Sequence, residues 1–444
     1  MPILSKEEAQ ALLKKVIAFS KADAIEVNLY GSDGGNIRYA RNAVSTSGGI
    51  STTGLVVQSS YGKKVGTATI NEFDDASLEK AVRRSEELAH LAPENPEFMP
   101  NLGPQQYQES KMYVPATAAI NPKLRADAVA KSLEVATQNN LVAAGFWENA
   151  TRFSAMMNSN GLFAYNTGTD VSFNVTLRTQ DGKGSGYASK GYNDINKLDV
   201  AAATRIAAQK AANSSSAKAL EPGKYTVILE PAAAIVLLEN IFFNMDARSA
   251  DEGRSFLSKA GGKTKLGEKL VDERVNIYSD PLNPDMPTST WSGDGRPQEK
   301  IKWIENGAIK NLYYSRYWAK EKNAKSVPFP DSIIVEGGSA SLEDLIKGTE
   351  KGILVTRLWY IREVDPQTLL YTGLTRDGTF YIENGQIKYP IKNFRFNESP
   401  IIMLNNLEEL GKPERTVSGE SGIQALIPPM KVRDFTFTSL SDAV

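Results

Sequence analysis

The chain has 444 residues, a single histidine (His90), no cysteine, and 51 Lys plus Arg against 52 Asp plus Glu, for a net charge of −1. The absence of cysteine excludes disulfides, thiolate nucleophiles, iron–sulfur clusters and thiolate zinc sites, and one histidine excludes a zinc site with two imidazole ligands. A Ser-His-Asp triad would have to use His90. At 41% hydrophobic and 23% charged, the composition fits a globular protein with a sizeable core. Near-zero charge leaves no footprint for nucleic acid, and no apolar run approaches the ~20 residues of a membrane span. At roughly 150 residues per domain, the length suggests three units or two large ones.

Met1 to Glu8 lacks a basic-then-apolar signal pattern, which makes the cytoplasm the expected compartment. Ser5 with Glu8 three residues on forms a capping box, and Ala9, Leu12, Leu13, Val16 and Ile17 mark one helix face. Ile25, Val27 and Leu29 then alternate as a strand. Gly31, Gly34 and Gly35 are expected to break the chain before a second strand at Ile37–Tyr39. Gly48, Gly49 and Gly54 match neither phosphate-loop pattern and read as turns between strands. Leu55–Ser60 and Val65–Ile70 form a hairpin through Tyr61-Gly62-Lys63-Lys64. A helix from Asp74 or Asp75, with Leu78, Ala81, Val82, Leu88 and Ala89 inward, stops before Pro93. His90, on its last turn, reads as a packing or capping residue.

Residues 93–122 are rich in Pro, Asn, Gln and Glu, with weak periodicity, and form a candidate sub-boundary. Leu124–Gln138 reads as a helix, Thr151–Met157 and Leu162–Asn166 as a hairpin across Asn160-Gly161, and Val171–Thr179 as a further strand. Asp199–Asn213 is an Ala-rich helix, so the order helix, strands, helix occurs twice, a weak repeat of an αβα unit. After Glu221-Pro222-Gly223, a strand at Tyr225–Leu229 precedes a helix at Ala232–Asn244 that has Pro231 near its start. Beyond Leu270 the pattern turns to β, with strands at Val275–Ile277, Lys302–Ile304, Ile333–Val335, Ile353–Tyr360 and Thr379–Ile382. Turn signals fall at Glu305-Asn306-Gly307, Arg376-Asp377-Gly378 and Glu383-Asn384-Gly385, and Ile401–Leu410 reads as one late helix. The fold class is therefore α+β. An N-terminal lobe over 1–220, built of repeated helix and antiparallel-strand units, precedes a β-rich C-terminal lobe over 221–444.

Two charged sets stand out. Asp246, Asp251 and Glu252 lie near Arg248 and Arg254; they could hold a hard cation or do acid/base work, or form a solvated ion-pair cluster. Arg357, Tyr360 and Arg362, with Glu363, alternate with Leu358 and Ile361 and could grip a carboxylate or a peptide backbone. A surface strand with long amphipathic side chains would show the same pattern.

Several segments, in their order and spacing, resemble the TldD/PmbA family, whose members are named modulators of DNA gyrase and peptidases. These are Val65-Gly66-Thr67-Ala68, Leu229-Glu230-Pro231, Gly253-Arg254-Ser255-Phe256-Leu257, Ile382-Glu383-Asn384-Gly385-Gln386-Ile387 and Leu404-Asn405-Asn406-Leu407-Glu408-Glu409-Leu410-Gly411. The resemblance implies two α+β lobes and dimers in which a TldD-type subunit with a helical HExxxH zinc motif pairs with a TldE/PmbA-type subunit that lacks it. On this chain the first His position falls on Glu239, the general-base Glu on Asn240 and the second His on Asn244, and the family's cysteine ligand has no counterpart. An amide does not titrate, so Asn240 cannot act as a base.

The resemblance is therefore to the metal-free, PmbA/TldE-like branch, with no cofactor expected. It implies a non-catalytic subunit that contributes peptide binding and part of a chamber. The expected assemblies are a homodimer or a heterodimer with a TldD-type zinc subunit, acting on peptides or unfolded protein without direct nucleic-acid or membrane contact. The alternatives are an independent divalent-metal hydrolase using Asp246, Asp251 and Glu252, and a binding or scaffold protein without peptidase association.

Overall fold

The computed structural model describes residues 3–441; the first two residues of the Met1–Glu8 stretch lie outside it. The chain begins with α1 (Lys6–Ala18), β1 (Ala24–Ala40), β2 (Ala43–Tyr61), β3 (Lys64–Ile70) and α2 (Asp75–Leu91). The Ser5–Glu8 capping box forms as read, with both reciprocal bonds present, and Asp74 caps α2 through the Ser77 amide. After α3 (Pro115–Ala118) the same plan recurs: α4 (Pro122–Gln138), β4 (Leu141–Asn158), β5 (Phe163–Thr179), β6 (Ser185–Tyr192) and α5 (Val200–Asn213). Each set of three strands is an antiparallel meander, and β1 pairs with β4, giving one six-stranded sheet in the order β3-β2-β1-β4-β5-β6. The weak αβα repeat is thus two meanders joined at their first strands.

The strands are longer than the glycine pattern suggests. Gly31, Gly34 and Gly35 lie inside β1, and Gly48, Gly49 and Gly54 lie inside β2, so none is a turn. A Cβ at Gly31 would stand 2.2 Å from the Phe153 ring, and one at Gly34 would stand 2.2 Å from the Asn149 carbonyl. At these two positions glycine admits close packing on a sheet face. Thr151–Met157 extends back to Leu141, and Leu162–Asn166 and Val171–Thr179 merge into the one strand β5. Helices α1 and α2 cover one end of the sheet over Val27, Leu55 and Phe153, while α4 and α5 cover the other over Trp147, Phe173 and Leu177.

The C-terminal half opens with β7 (Gly223–Leu229), α6 (Pro231–Phe243), α7 (Ala247–Asp251) and a small hairpin, β8 (Ser258–Lys259) and β9 (Lys263–Thr264). It continues with β10 (Ile277–Ser279), β11 (Ile301–Glu305), β12 (Ala308–Ile309), α8 (Arg316–Glu321), β13 (Ile333–Val335) and α9 (Leu342–Lys347). Next come β14 (Lys351–Asp365), β15 (Leu370–Glu383), β16 (Gln386–Pro390), β17 (Phe394–Glu398) and α10 (Pro400–Asn405). The last strands are β18 (Leu407–Leu410), β19 (Glu414–Val417), β20 (Gln424–Ile427) and β21 (Met430–Leu440). The expected helix Ile401–Leu410 is split. It ends at Asn405, and β18 pairs with β21, because Leu407 is buried by strand pairing rather than on a helix face. Arg376-Asp377-Gly378 is likewise no turn. It lies within β15, where left-handed Asp377 (φ +56°) faces a register shift in β14 between Val355 and Arg357.

One C-terminal sheet runs β12-β11-β10-β13-β20-β19 and the other β14-β7-β21-β17-β15-β16. Helix α6 is buried on nearly every side and touches strands of both, sharing a core with Val227, Ile353, Trp303 and Ile427. An apolar helix of this kind is stable only when enclosed. Residues 92–114 strap the two halves together. Tyr107 Oη donates to the Gly295 carbonyl (2.7 Å), Thr290 Oγ1 to the Gln108 carbonyl (2.7 Å), and Leu102 packs with Met156, Leu162 and Trp291. No helix of the described residues is long and apolar enough to cross a membrane.

Candidate functional site

Glu239, Asn240 and Asn244, the positions that the resemblance aligns with the zinc motif, lie on the last turn and C-cap of α6. Glu239 is 3% exposed. Its Oε1 accepts from Ser418 Oγ at 3.0 Å and its Oε2 from Ser421 Oγ at 2.6 Å. Burial pushes the Glu239 carboxyl up, and the two hydroxyl donors pull it partly back. Asn240 Nδ2 donates to the Val236 carbonyl (2.7 Å) and Asn244 Nδ2 to the Asn240 carbonyl (2.9 Å), so both amides are turned back along the helix. Asn244 also reaches Tyr371 Oη at 3.4 Å, and burial beside Glu363 pushes that phenol up to about 12. Zinc needs imidazole, thiolate or free carboxylate donors converging on one point. Here the one carboxylate is saturated by hydroxyls, and the described residues contain no cluster of three or more His, Cys, Asp or Glu able to hold a metal ion. The donor set does not fit zinc.

The serines that close on Glu239 belong to the turn between β19 and β20, and that turn borders a groove. Three contiguous cavities of about 310, 620 and 540 Å³ run between the six-stranded sheet and the C-terminal half. Strand alternation makes the wall: Val171, Phe173 and Val175 point to the helices, so Asp170, Ser172, Asn174 and Thr176 point into the groove. Opposite them stand Arg357, Trp359, Ser418 and Gly419.

Arg357 is the predicted residue that reaches this groove. Its guanidinium lies 4.1 Å from the Tyr187 ring centroid and 4.6 Å from that of Trp359. Its Nη1 pairs with Asp377 Oδ2 at 3.1 Å, and Ser185 Oγ donates to Asp377 Oδ1 at 2.6 Å. Among the described residues, Arg357 Nε is buried without a hydrogen-bond partner. Tyr360 and Arg362 stand elsewhere. A bulge after Trp359, with Tyr360 at φ +58°, turns both onto the exposed part of β14, where Arg362 stacks 4.1 Å above the Tyr360 ring. The Tyr360 amide donates to Glu420 Oε1 at 2.7 Å, which ties this bulge to the serine turn.

The remaining candidates are engaged locally. Asp246 caps α7 through Ser249, Asp251 accepts from Trp318 Nε1 at 2.8 Å, and Glu252 bonds Arg248 and Arg254. Together they form an ion-pair and capping cluster. His90 stacks on Tyr61 with centroids 3.9 Å apart. Sequence reasoning missed Tyr187, Asp377, Ser418 and Ser421, which come from strands and a turn far from α6. The Asp-Gly pair did mark the backbone irregularity that delivers Asp377.

With this geometry established, comparison with known proteins places the chain. Residues 25–89 match the PmbA/TldA metallopeptidase domain 1, 114–215 the central domain and 222–439 the C-terminal domain. An uncharacterized protein of Methanocaldococcus jannaschii is 25% identical over 376 residues, covering 79% of this chain and 83% of that protein. A Saccharolobus solfataricus protein named zinc metalloprotease TldD homolog is 26% identical over 222 residues, or 44% of this chain and 46% of its own. The crystal structure of TldE from Thermococcus kodakarensis superposes with a TM-score of 0.87 at 20% identity, covering 97% of this chain and 99% of the other. The chain belongs to the TldD/PmbA family of metallopeptidase-related proteins.

Proposed function

We propose that this chain is a non-catalytic, TldE-like subunit that binds peptide in the groove and completes the chamber of a TldD-type zinc peptidase. The observation that carries this reading is the state of the motif helix. Glu239 is closed off by Ser418 and Ser421, and Asn240 and Asn244 bond back to their own helix. The groove beside that helix supplies what peptide binding needs: a long concavity with polar walls and an aromatic-stacked arginine, Arg357. Tyr360 and Arg362 lie on the exposed continuation of β14, outside the groove walls. The expected assemblies are a homodimer in isolation and a heterodimer with the zinc subunit, in the cytoplasm.

The test is to purify the chain alone and together with a TldD-type subunit carrying HExxxH, then assay each on an unfolded polypeptide with and without Zn²⁺. Cleavage by the pair and none by the chain alone supports the reading. Metal-dependent turnover by the chain alone overturns it and restores the independent-hydrolase alternative. Failure of the two subunits to co-purify leaves a binding protein without peptidase association.

A further inference from the structure

The outer edge of β2 is open over part of its length. β3 pairs with β2 from Tyr61 to Leu55 and ends there at Ile70, so among the described residues no strand lies against Thr46–Gly54 on that side. This stretch is about 30 Å long. Residues 43–52 are exposed on both faces of the sheet, so neither the helices nor the C-terminal half covers most of it.

Sheet edges that must stay single are guarded by charges, proline or a bulge. The run Thr46-Ser47-Gly48-Gly49-Ile50-Ser51-Thr52-Thr53-Gly54 carries no charge and no proline, and the bulge at Ser45, opposite Arg38 and Tyr39, lies just outside it. Ile50 is 57% exposed, and Thr53 Oγ1 is buried with no hydrogen-bond partner among the described residues. A strand edge offers backbone donors and acceptors in alternation, and over this length only another extended backbone matches them.

We propose that this edge pairs with the same edge of a second copy of the chain, antiparallel about a twofold axis at Ile50. The proposal rests on the homodimer expected above and names the surface that forms it. Pairing centred on Ile50 sets Ile50 against its own copy, Gly48 against Thr52, Gly49 against Ser51, Thr46 against Gly54 and Ser47 against Thr53. Each glycine then receives a side chain from across the pair, and a serine hydroxyl meets Thr53. Because the run is uncharged, self-pairing sets no like charges opposite each other, and a charged strand finds nothing here to answer it. The Ser45 bulge bends the strand aside before it meets the end of β3 in the other copy. Ile50 stands opposite Gly34, on the sheet face that carries Tyr30 and Ser32 into the groove. A twofold axis normal to the sheet keeps that face common to both copies. The two six-stranded sheets become one, and both grooves open on the same side of it.

The test is sedimentation equilibrium of the full chain over about a hundredfold range of concentration, for the natural protein, Ile50→Lys, Ile50→Glu and an equal mixture of the two variants. We expect the natural protein to form a dimer and each variant alone to dissociate at least about tenfold more readily, because like charges face each other at the axis. The mixture should recover the dimer, because lysine then faces glutamate, and that recovery shows that both variants are folded. A natural protein that is monomeric throughout overturns the proposal together with the expected homodimer. A dimer equally stable in both variants overturns this edge and leaves the homodimer standing. A mixture that stays monomeric overturns the pairing of Ile50 with its own copy. Amide hydrogen exchange over 46–54 should be slow in the natural dimer and fast in either variant alone. Slowing that appears only when an unfolded polypeptide is added assigns the edge to peptide and overturns self-pairing.

Discussion

Ser421 Oγ donates to Glu239 Oε2 at 2.6 Å, linking residues 182 positions apart in the chain. The Glu239 carboxylate thus holds the turn between β19 and β20 against the last turn of α6. Ser418 and Gly419 of that turn line the groove, so Glu239 acts on the groove as a positioning residue. Glu239→Ala would strand two hydroxyls beside a cavity and should cost about 2–3 kcal/mol. Glu239→Gln keeps the shape and an acceptor, and its amide can donate to one serine, so it should be close to neutral at pH 7.

The same residue has a signed pH effect. Its folded carboxyl is raised by burial, so the folded state favours the protonated form. That contribution is fully present below the unfolded value and is lost as pH rises through the folded one. Thermal melts at pH 4 to 7 should therefore show a smaller loss of stability with rising pH for Glu239→Gln than for the natural protein. Parallel pH profiles would remove Glu239 as the source.

Arg357 and Asp377 make a second test, one that separates binding from folding. Asp377 is 2% exposed, so Arg357→Ala leaves a buried, unpaired carboxylate and should cost about 3 kcal/mol. Adding Asp377→Asn should recover at least about 1 kcal/mol, because the stranded charge is gone and Ser185 keeps an acceptor. Peptide affinity is then compared in the Arg357→Ala/Asp377→Asn background, where we expect about tenfold weaker binding than in the natural protein. Arg362→Ala, on the exposed strand, should change stability by less than about 0.5 kcal/mol.

Much of this architecture was legible where the determining interactions are local. The caps at Ser5, Asp74 and Asp199 each act within three residues, and the helices they start fall within a residue of where the sequence places them. Strand extents were not legible, because Gly31 and Gly34 answer to Phe153 and Asn149 on a strand more than a hundred residues away. Ile401–Leu410 carries apolar residues that suit a helix, yet Leu407 onward pairs with β21, a tertiary demand that periodicity does not encode. At the site, the positions Glu239, Asn240 and Asn244 followed from family resemblance. The serines that saturate Glu239 did not, since those contacts have no sequence spacing.

Glycine tolerance separates close packing from open strand. A Cβ at Gly66 would lie 2.2 Å from both the Ser85 carbonyl and the Ala89 amide of α2, backbone atoms that cannot step aside. Gly66→Ala should cost about 2 kcal/mol or more. At Gly48 nothing stands within 4 Å, and alanine is the better strand residue, so Gly48→Ala should raise stability by about 0.5 kcal/mol. Denaturant midpoints with unchanged slopes would check both, and equal effects would discount the packing of α2 on β3.

The last prediction concerns the join between the two halves. Lys210 Nζ on α5 pairs with Glu230 Oε2 at the N-cap of α6 at 2.7 Å, each side chain 13% exposed, and Thr356 Oγ1 donates to the other carboxylate oxygen. The pair therefore ties the N-terminal half to the N-cap of α6. Lys210→Met leaves Glu230 facing α6 without its cation and should cost about 3 kcal/mol, whereas Lys210→Met/Glu230→Gln should recover most of that. If the bridge also fixes the groove walls relative to each other, the double variant should regain stability but bind an unfolded peptide more weakly. Full recovery of both would reduce the pair to a purely local contribution. Hydrogen exchange over 223–243 distinguishes these outcomes, because faster exchange confined to β7 and α6 in the double variant would place the loss at this junction.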